Sequence, residues 1–191
     1  MKYVSMILFG IWVLAEMLSA QEVAAFADRL VRAANQRTEA TVRYDPAYVV
    51  LDYPGGDVPS DTGVCTDVVI RAYRSLGIDL QELVHEDMKR NFKAYPSNWG
   101  LKGVDRNIDH RRVPNLQRYF ERQGAEVKGA DASYLPGDLV AWDLSGKGLW
   151  HIGIVTGLDT FVHNIGSGPV TEKGIEQWKV VGHYRFAPAL N

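Results

Sequence analysis

The chain has 191 residues, one cysteine and a formal net charge of −2. Charge so close to balance argues against nucleic acid as the main partner, and a lone cysteine excludes an internal disulfide. Hydrophobic residues make up 46% of the chain, enough for a real core rather than a disordered or fibrous protein.

The first 20 residues read as a secretory signal. Lys2 supplies the positive start, Ile7 to Leu14 the apolar centre, and Leu18-Ser19-Ala20 the small residues before a cut at Gln21,. The apolar run is short for a membrane span and Glu16 interrupts it,. We therefore expect a periplasmic or secreted protein with no stable membrane insertion after cleavage. Residues 21–191 then form one domain.

From Glu22 to Asn35, Val23, Phe26, Ala27, Leu30, Val31 and Ala34 recur at helical spacing,. Val49-Val50-Leu51 is a short strand candidate, and Tyr53 to Pro59 breaks regular structure with two prolines and two glycines,. Val68, Val69, Ala72, Tyr73 and Leu76 mark a helix that starts at or near Cys65 and stops at Gly77,. Leu80, Leu83, Val84 and Met88 mark another. Residues 94–112 read as a long loop, and loops of that length are often functional,. Val113, Leu116, Tyr119 and Phe120 give a further helix, ended near Gly124. Four strands follow, at 138–144, 150–156, 160–165 and 179–186, rich in β-branched and aromatic residues,. Helices first and an antiparallel sheet after them predict an α+β domain with segregated layers.

The chemistry centres on Cys65. At a helix N-terminus, free N–H groups and the macrodipole favour a thiolate, the nucleophilic form. Such a nucleophile needs a base, and the base needs a group that orients it. His151, at the start of one strand, and His163, on the next, are the candidates. The competing reading of Cys65 is a small buried hydrophobe. A Cys/His₂ zinc site is a further alternative, but no short paired ligand spacing supports it, and no metal or cofactor is expected. His85 reads as an exposed helix residue and His183 as structural. His110-Arg111-Arg112, beside Asp105 and Asp109, reads as a salt-bridge network or as a cleft wall that binds carboxylates.

Two resemblances sharpen this. Cys65 at a helix start, then Gly137-Asp138-Leu139-Val140-Ala141-Trp142, then His151-Ile152-Gly153-Ile154-Val155, then His163 on the next strand, is similar to the papain-like cell-wall peptidases of the NlpC type. That likeness covers about Tyr53 to Gly168. Asn107 to Leu116, His163 to Gly168 and Gly182 to Phe186 resemble a family of exported bacterial proteins described only as a domain of unknown function (DUF 1287), over roughly Phe26 to Phe186. The first resemblance implies a papain-like fold and a cysteine peptidase or amidase acting on peptidoglycan stem peptides. It implies Cys65 as nucleophile, His151 as base and His163 as orienting residue, with Tyr53 near the oxyanion; Arg111 and Trp99 are substrate-side candidates from the loop itself, Arg111 in the carboxylate-binding cleft wall and Trp99 covering its apolar side. Asn164 competes with His163 for the third place. The usual Asp-Cys-Ser is Val64-Cys65-Thr66 here, and an acid follows instead at Asp67. A non-catalytic peptidoglycan- or protein-binding module of the same shape is the alternative. Oligomeric state stays open.

Overall fold

The computed structural model of the chain describes residues 2–129 and 133–188, with side chains from Ala20 onward. The expected signal segment therefore lies, but for Ala20, outside the described side chains. Helix α1 (Lys2–Arg37) buries Phe26, Leu30, Ala33 and Ala34 against the domain. Two-residue strands β1 (Arg43–Tyr44) and β2 (Thr62–Gly63) pair in parallel just before α2 (Cys65–Arg74). Helices α3 (Leu80–Asn91) and α4 (Val113–Arg122) follow. The C-terminal half is an antiparallel sheet of β3 (Leu139–Asp143), β4 (Trp150–Gly157), β5 (Thr160–Asn164), β6 (Pro169–Lys173) and β7 (Lys179–Tyr184), in the order β6-β5-β4-β3-β7. The architecture is α+β with helices before the sheet, as expected.

Local chemistry accounts for the helix ends. The Asp79 side chain caps α3 by accepting from the Gln81 N–H at 3.0 Å,. Gly77, at φ +83°, turns the chain out of α2,. Pro114 sits in the first turn of α4, where a missing N–H costs nothing,.

The sheet has two distinct faces because its strands alternate. Leu139, Ala141, Ile152, Ile154 and Val162 face the helices and join a core with Val68, Val69, Tyr73, Leu116 and Phe120. Val140, Trp142, Val155 and Phe161 face the other way, beneath the turn Ile175–Gln177. The Trp142 indole N–H donates to the Ile175 carbonyl at 2.7 Å and ties that turn down.

Two expectations need correction. Val49-Val50-Leu51 is not a strand. Val50 is 77% exposed, and the Leu51 N–H donates to the Asn107 side chain rather than to a ladder. His85 is half-buried, its ring edge-on to Tyr53 at 4.9 Å between centroids. Strand β6 was not anticipated. It is an edge strand whose Thr171 and Lys173 lie in solvent, so it lacks the apolar alternation of a half-buried strand,.

Candidate active site

Cys65 is the first residue of α2, and the segment leading to it is held from several sides. Asp67, in the third helical position, turns back so that its Oδ2 accepts the Val64 N–H at 2.7 Å. This is half of a capping box, with the carboxylate at the positive end of the helix. The same carboxylate takes a two-pronged bond from Arg111, Nε at 2.9 Å and Nη2 at 3.0 Å. Arg71 clamps the preceding loop through the carbonyls of Val58, Pro59 and Thr62 and the Asp57 carboxylate. Gly63 packs closely here: a Cβ there would lie 3.2 Å from that of Asp67.

From this rigid start the thiol reaches the sheet. β5 pairs with β4 only as far as Ile154. Beyond that point the N–H groups of Ile152, Thr66 and Cys65 itself lie near enough to Cys65 Sγ to favour its thiolate. The residue before Ile152 is His151.

His151 and His163 lie on the sheet face turned away from the helices, among Trp142, Phe161 and Trp178. Their rings stand nearly perpendicular, with His151 Nε2 2.8 Å from His163 Nδ1. Gly153 makes room for this. A Cβ there would meet the Val162 carbonyl at 2.9 Å and then the His163 Cβ and the Trp142 ring, each at 3.2 Å. His163, rather than Asn164, touches His151. Asn164 points to the other face, donating to the Gly63 carbonyl at 3.3 Å beside the cysteine loop. With its Nε2 turned to His163, His151 has only Nδ1 left for a thiol. No hydrogen bond joins that nitrogen to Sγ in this structure.

Burial sets the charge state. Cys65 is 5% exposed, and desolvation pushes its thiol up to about 12 against the three N–H groups that favour a thiolate,. The low-pKa thiolate expected at a helix start is thus overturned, because burial outweighs the helix terminus. Burial, with a smaller contribution from His163, lowers His151 to about 3. Both groups rest neutral.

The other residues singled out from sequence lie apart from the histidine pair. The Tyr53 hydroxyl donates to Glu86 at 3.1 Å, and its ring rests on His85. Arg111 is buried, with its guanidinium committed to Asp67. Trp99 lies under the Arg112 guanidinium at 4.2 Å and lines a cavity of about 260 Å³ with Met88, Phe92, Lys93 and Asn115. The Thr66 hydroxyl donates to the Arg111 carbonyl and links this loop to the cysteine helix. His110 is buried and lowered to about 4 by desolvation, with Arg111 acting in the same direction. His183 is structural: its Nε2 lies 2.7 Å from Asp138, which also takes a fork from Arg185.

Two residues near the site were missed from sequence. Tyr44, on β1, is raised above the ordinary phenol value by burial and next by the nearby Cys65 thiol. Glu172, on β6, places Oε2 2.8 Å from His163 Nε2. Neither carries a local signal, since one depends on a two-residue parallel pairing and the other on an edge strand. Among the described residues, no group of three or more His, Cys, Asp or Glu converges as a metal site. No described helix is long and apolar enough to cross a membrane.

Fold and site together define an α+β domain with a cysteine opening a helix and two paired histidines on neighbouring strands. Residues 31–186 match the family described as Domain of unknown function (DUF1287), and the chain belongs to that family. It is 51% identical over 161 residues to the Uncharacterized protein YijF of Escherichia coli (strain K12), a match covering 80% of this chain and 78% of that one. Among solved structures it is similar to NlpC2 from Trichomonas vaginalis, with a TM-score of 0.47 and 19% identity over 82% of this chain. The chain spans 46%, about half, of that protein.

Proposed function

We propose that this protein is an exported, papain-like cysteine hydrolase that cleaves an amide bond in peptidoglycan stem peptides, as an endopeptidase or amidase. The observation that carries the reading is Cys65 at the start of α2, beside the backbone of Ile152, whose chain neighbour His151 turns its Nε2 to His163 Nδ1 at 2.8 Å. A nucleophile, a base and an orienting group are present as residue types, and with the imidazoles on the sheet face away from α2, attack requires His151 Nδ1 to come within reach of Sγ,. The order of motifs around them is that of the NlpC-type peptidases.

Because thiol and imidazole rest neutral, the attack is general-base catalysed rather than run from a preformed ion pair. His151 Nδ1 takes the thiol proton as Sγ bonds to the amide carbon. The oxygen bears the charge, and the Cys65 N–H and Tyr44 hydroxyl are the nearby donors for it. Collapse breaks the C–N bond, the amine leaves with the proton from His151, and a thioester remains. Water, giving its proton to His151, hydrolyses the thioester and returns Cys65. Catalytic hydrogen bonds of this kind often close only when substrate is bound.

Burial of the thiol favours a second reading, a non-catalytic module that binds peptidoglycan or protein. Purified cell wall separates the two. Under the hydrolase reading the native protein releases soluble fragments, while Cys65→Ala releases none and melts within a few degrees of it. A Cys65→Ala variant that digests wall at the native rate removes Cys65 as nucleophile. A native protein that sediments with wall but releases nothing favours the binding module.

A further inference from the structure

Behind His163, edge strand β6 carries Glu172. In the β5–β6 register His163 stands opposite Val170, and Phe161 opposite Glu172. Glu172 is therefore the diagonal neighbour of His163 on one sheet face. Its Oε2 lies 2.8 Å from Nε2 of a fully buried ring, while its own side chain is 38% exposed. The distance is that of a hydrogen bond, but the angle at the ring is not. The charge, 2.8 Å from Nε2, still favours the proton on that nitrogen, because even off the hydrogen-bond direction a lone pair beside the anion is repelled and an N–H dipole attracted.

We infer that Glu172 is a positioning residue that sets the proton polarity of the whole histidine pair. A carboxylate only accepts, so His163 carries its proton on Nε2 and presents a lone pair at Nδ1. That lone pair, 2.8 Å from His151 Nε2, requires the proton of His151 to sit on Nε2. His151 Nδ1 is then left with a lone pair, the state a general base needs. With the polarity reversed, His163 Nδ1–H donates to His151 Nε2, Nδ1 of His151 holds the proton, and the base is blocked. The charged or titratable groups facing His163 are His151 from β4 and Glu172 from β6; Phe161 and Trp178 carry no charge. The catalytic consequence rests on the proposed role of His151 as base, whereas the tautomers do not.

The test is long-range ¹H–¹⁵N NMR of the histidine rings in the full chain near pH 7, for the native protein and for Glu172→Gln, Glu172→Leu and Glu172→Lys. The native protein and Glu172→Gln, whose amide oxygen still accepts, should show Nε2–H on both rings. Glu172→Leu should show mixed tautomers. Glu172→Lys, which donates, should move both protons to Nδ1. Wall digestion should fall in proportion to the competent tautomer lost, about twofold in Glu172→Leu for an even mixture and about 10-fold or more in Glu172→Lys, and be largely retained in Glu172→Gln. Nε2–H tautomers that persist in both Glu172→Leu and Glu172→Lys overturn the inference. If the native protein digests no wall, the hydrolase reading fails on its own, and the ring spectra still decide the role of Glu172.

Discussion

At the residue scale, the opposing influences on Cys65 can be weighed. Three backbone N–H groups and a helix N-terminus draw charge onto the sulfur, and complete burial drives it off. Burial wins, and the thiol sits near 12. The expected outcome is slow alkylation by iodoacetamide at pH 7 relative to a free cysteine, with a rate that keeps rising through pH 9. A rate that levels off below the free-thiol value of about 8.5 would show a preformed thiolate and contradict the neutral resting pair. His151→Ala, which removes the base, should lower wall digestion by about 10²- to 10⁴-fold. A variant with native kcat would take His151 out of the mechanism. That Cys65 opens a helix and that His151 and His163 stand on neighbouring strands was legible in sequence. The charge state was not, because it depends on what packs over the sulfur.

At the scale of elements, the site is a junction between the start of α2 and the opening between β4 and β5. The buried pair of Asp67 and Arg111 fixes the helix start, with side chains 4% and 2% exposed. Removing one partner of such a pair leaves an uncompensated buried charge and costs about 3–5 kcal/mol. Arg111→Met should therefore lower stability to urea by about that amount, and adding Asp67→Asn should recover part of it. Equal losses in the single and double variants would show that the two are not coupled. Helices α2, α3 and α4 were readable because their apolar spacing and stop signals are local, as with Leu80, Val84 and Met88 before Asn91. The four strands near 139, 150, 160 and 179 were readable from β-branched runs closed by glycines. Strand β1 was not, since Arg43 and Tyr44 gain their pairing only from Thr62 and Gly63. Val49 to Leu51 misled for the converse reason: β-branched residues are strand-like only where a neighbouring strand exists to accept them. Tyr53 misled in the same way, because sequence proximity to Cys65 says nothing about a side chain bound to Glu86.

At the scale of the whole molecule, buried neutral histidines couple folding to pH. His151 falls to about 3 and His110 to about 4, and His163 is also lowered, in each case chiefly by burial. In the unfolded chain each takes up a proton near 6.5. Between those values the unfolded state holds more protons, so stability rises with pH there and is lost on acidification. The contribution is complete above about pH 7 and falls by up to about 1.4 kcal/mol per histidine per unit below 6.5. Asp138, held low by His183 and Arg185 despite its burial, acts in the same direction at still lower pH. The melting temperature should therefore drop steadily from pH 7 to pH 4. A flat profile over that range would mean that these rings are not buried neutral. Segregated layers, helices first and sheet after, were visible in the sequence; the two-faced sheet, which puts Asn164 beside the cysteine loop and His163 beside His151, needed the register of β4 and β5. The central claim, that this fold presents Cys65 as a nucleophile toward stem peptides, is tested most directly by mass spectrometry of muropeptides from purified wall. New products carrying one cleaved amide bond are expected with the native protein and none with Cys65→Ala. Identical muropeptide profiles from native protein, Cys65→Ala and untreated wall would contradict it.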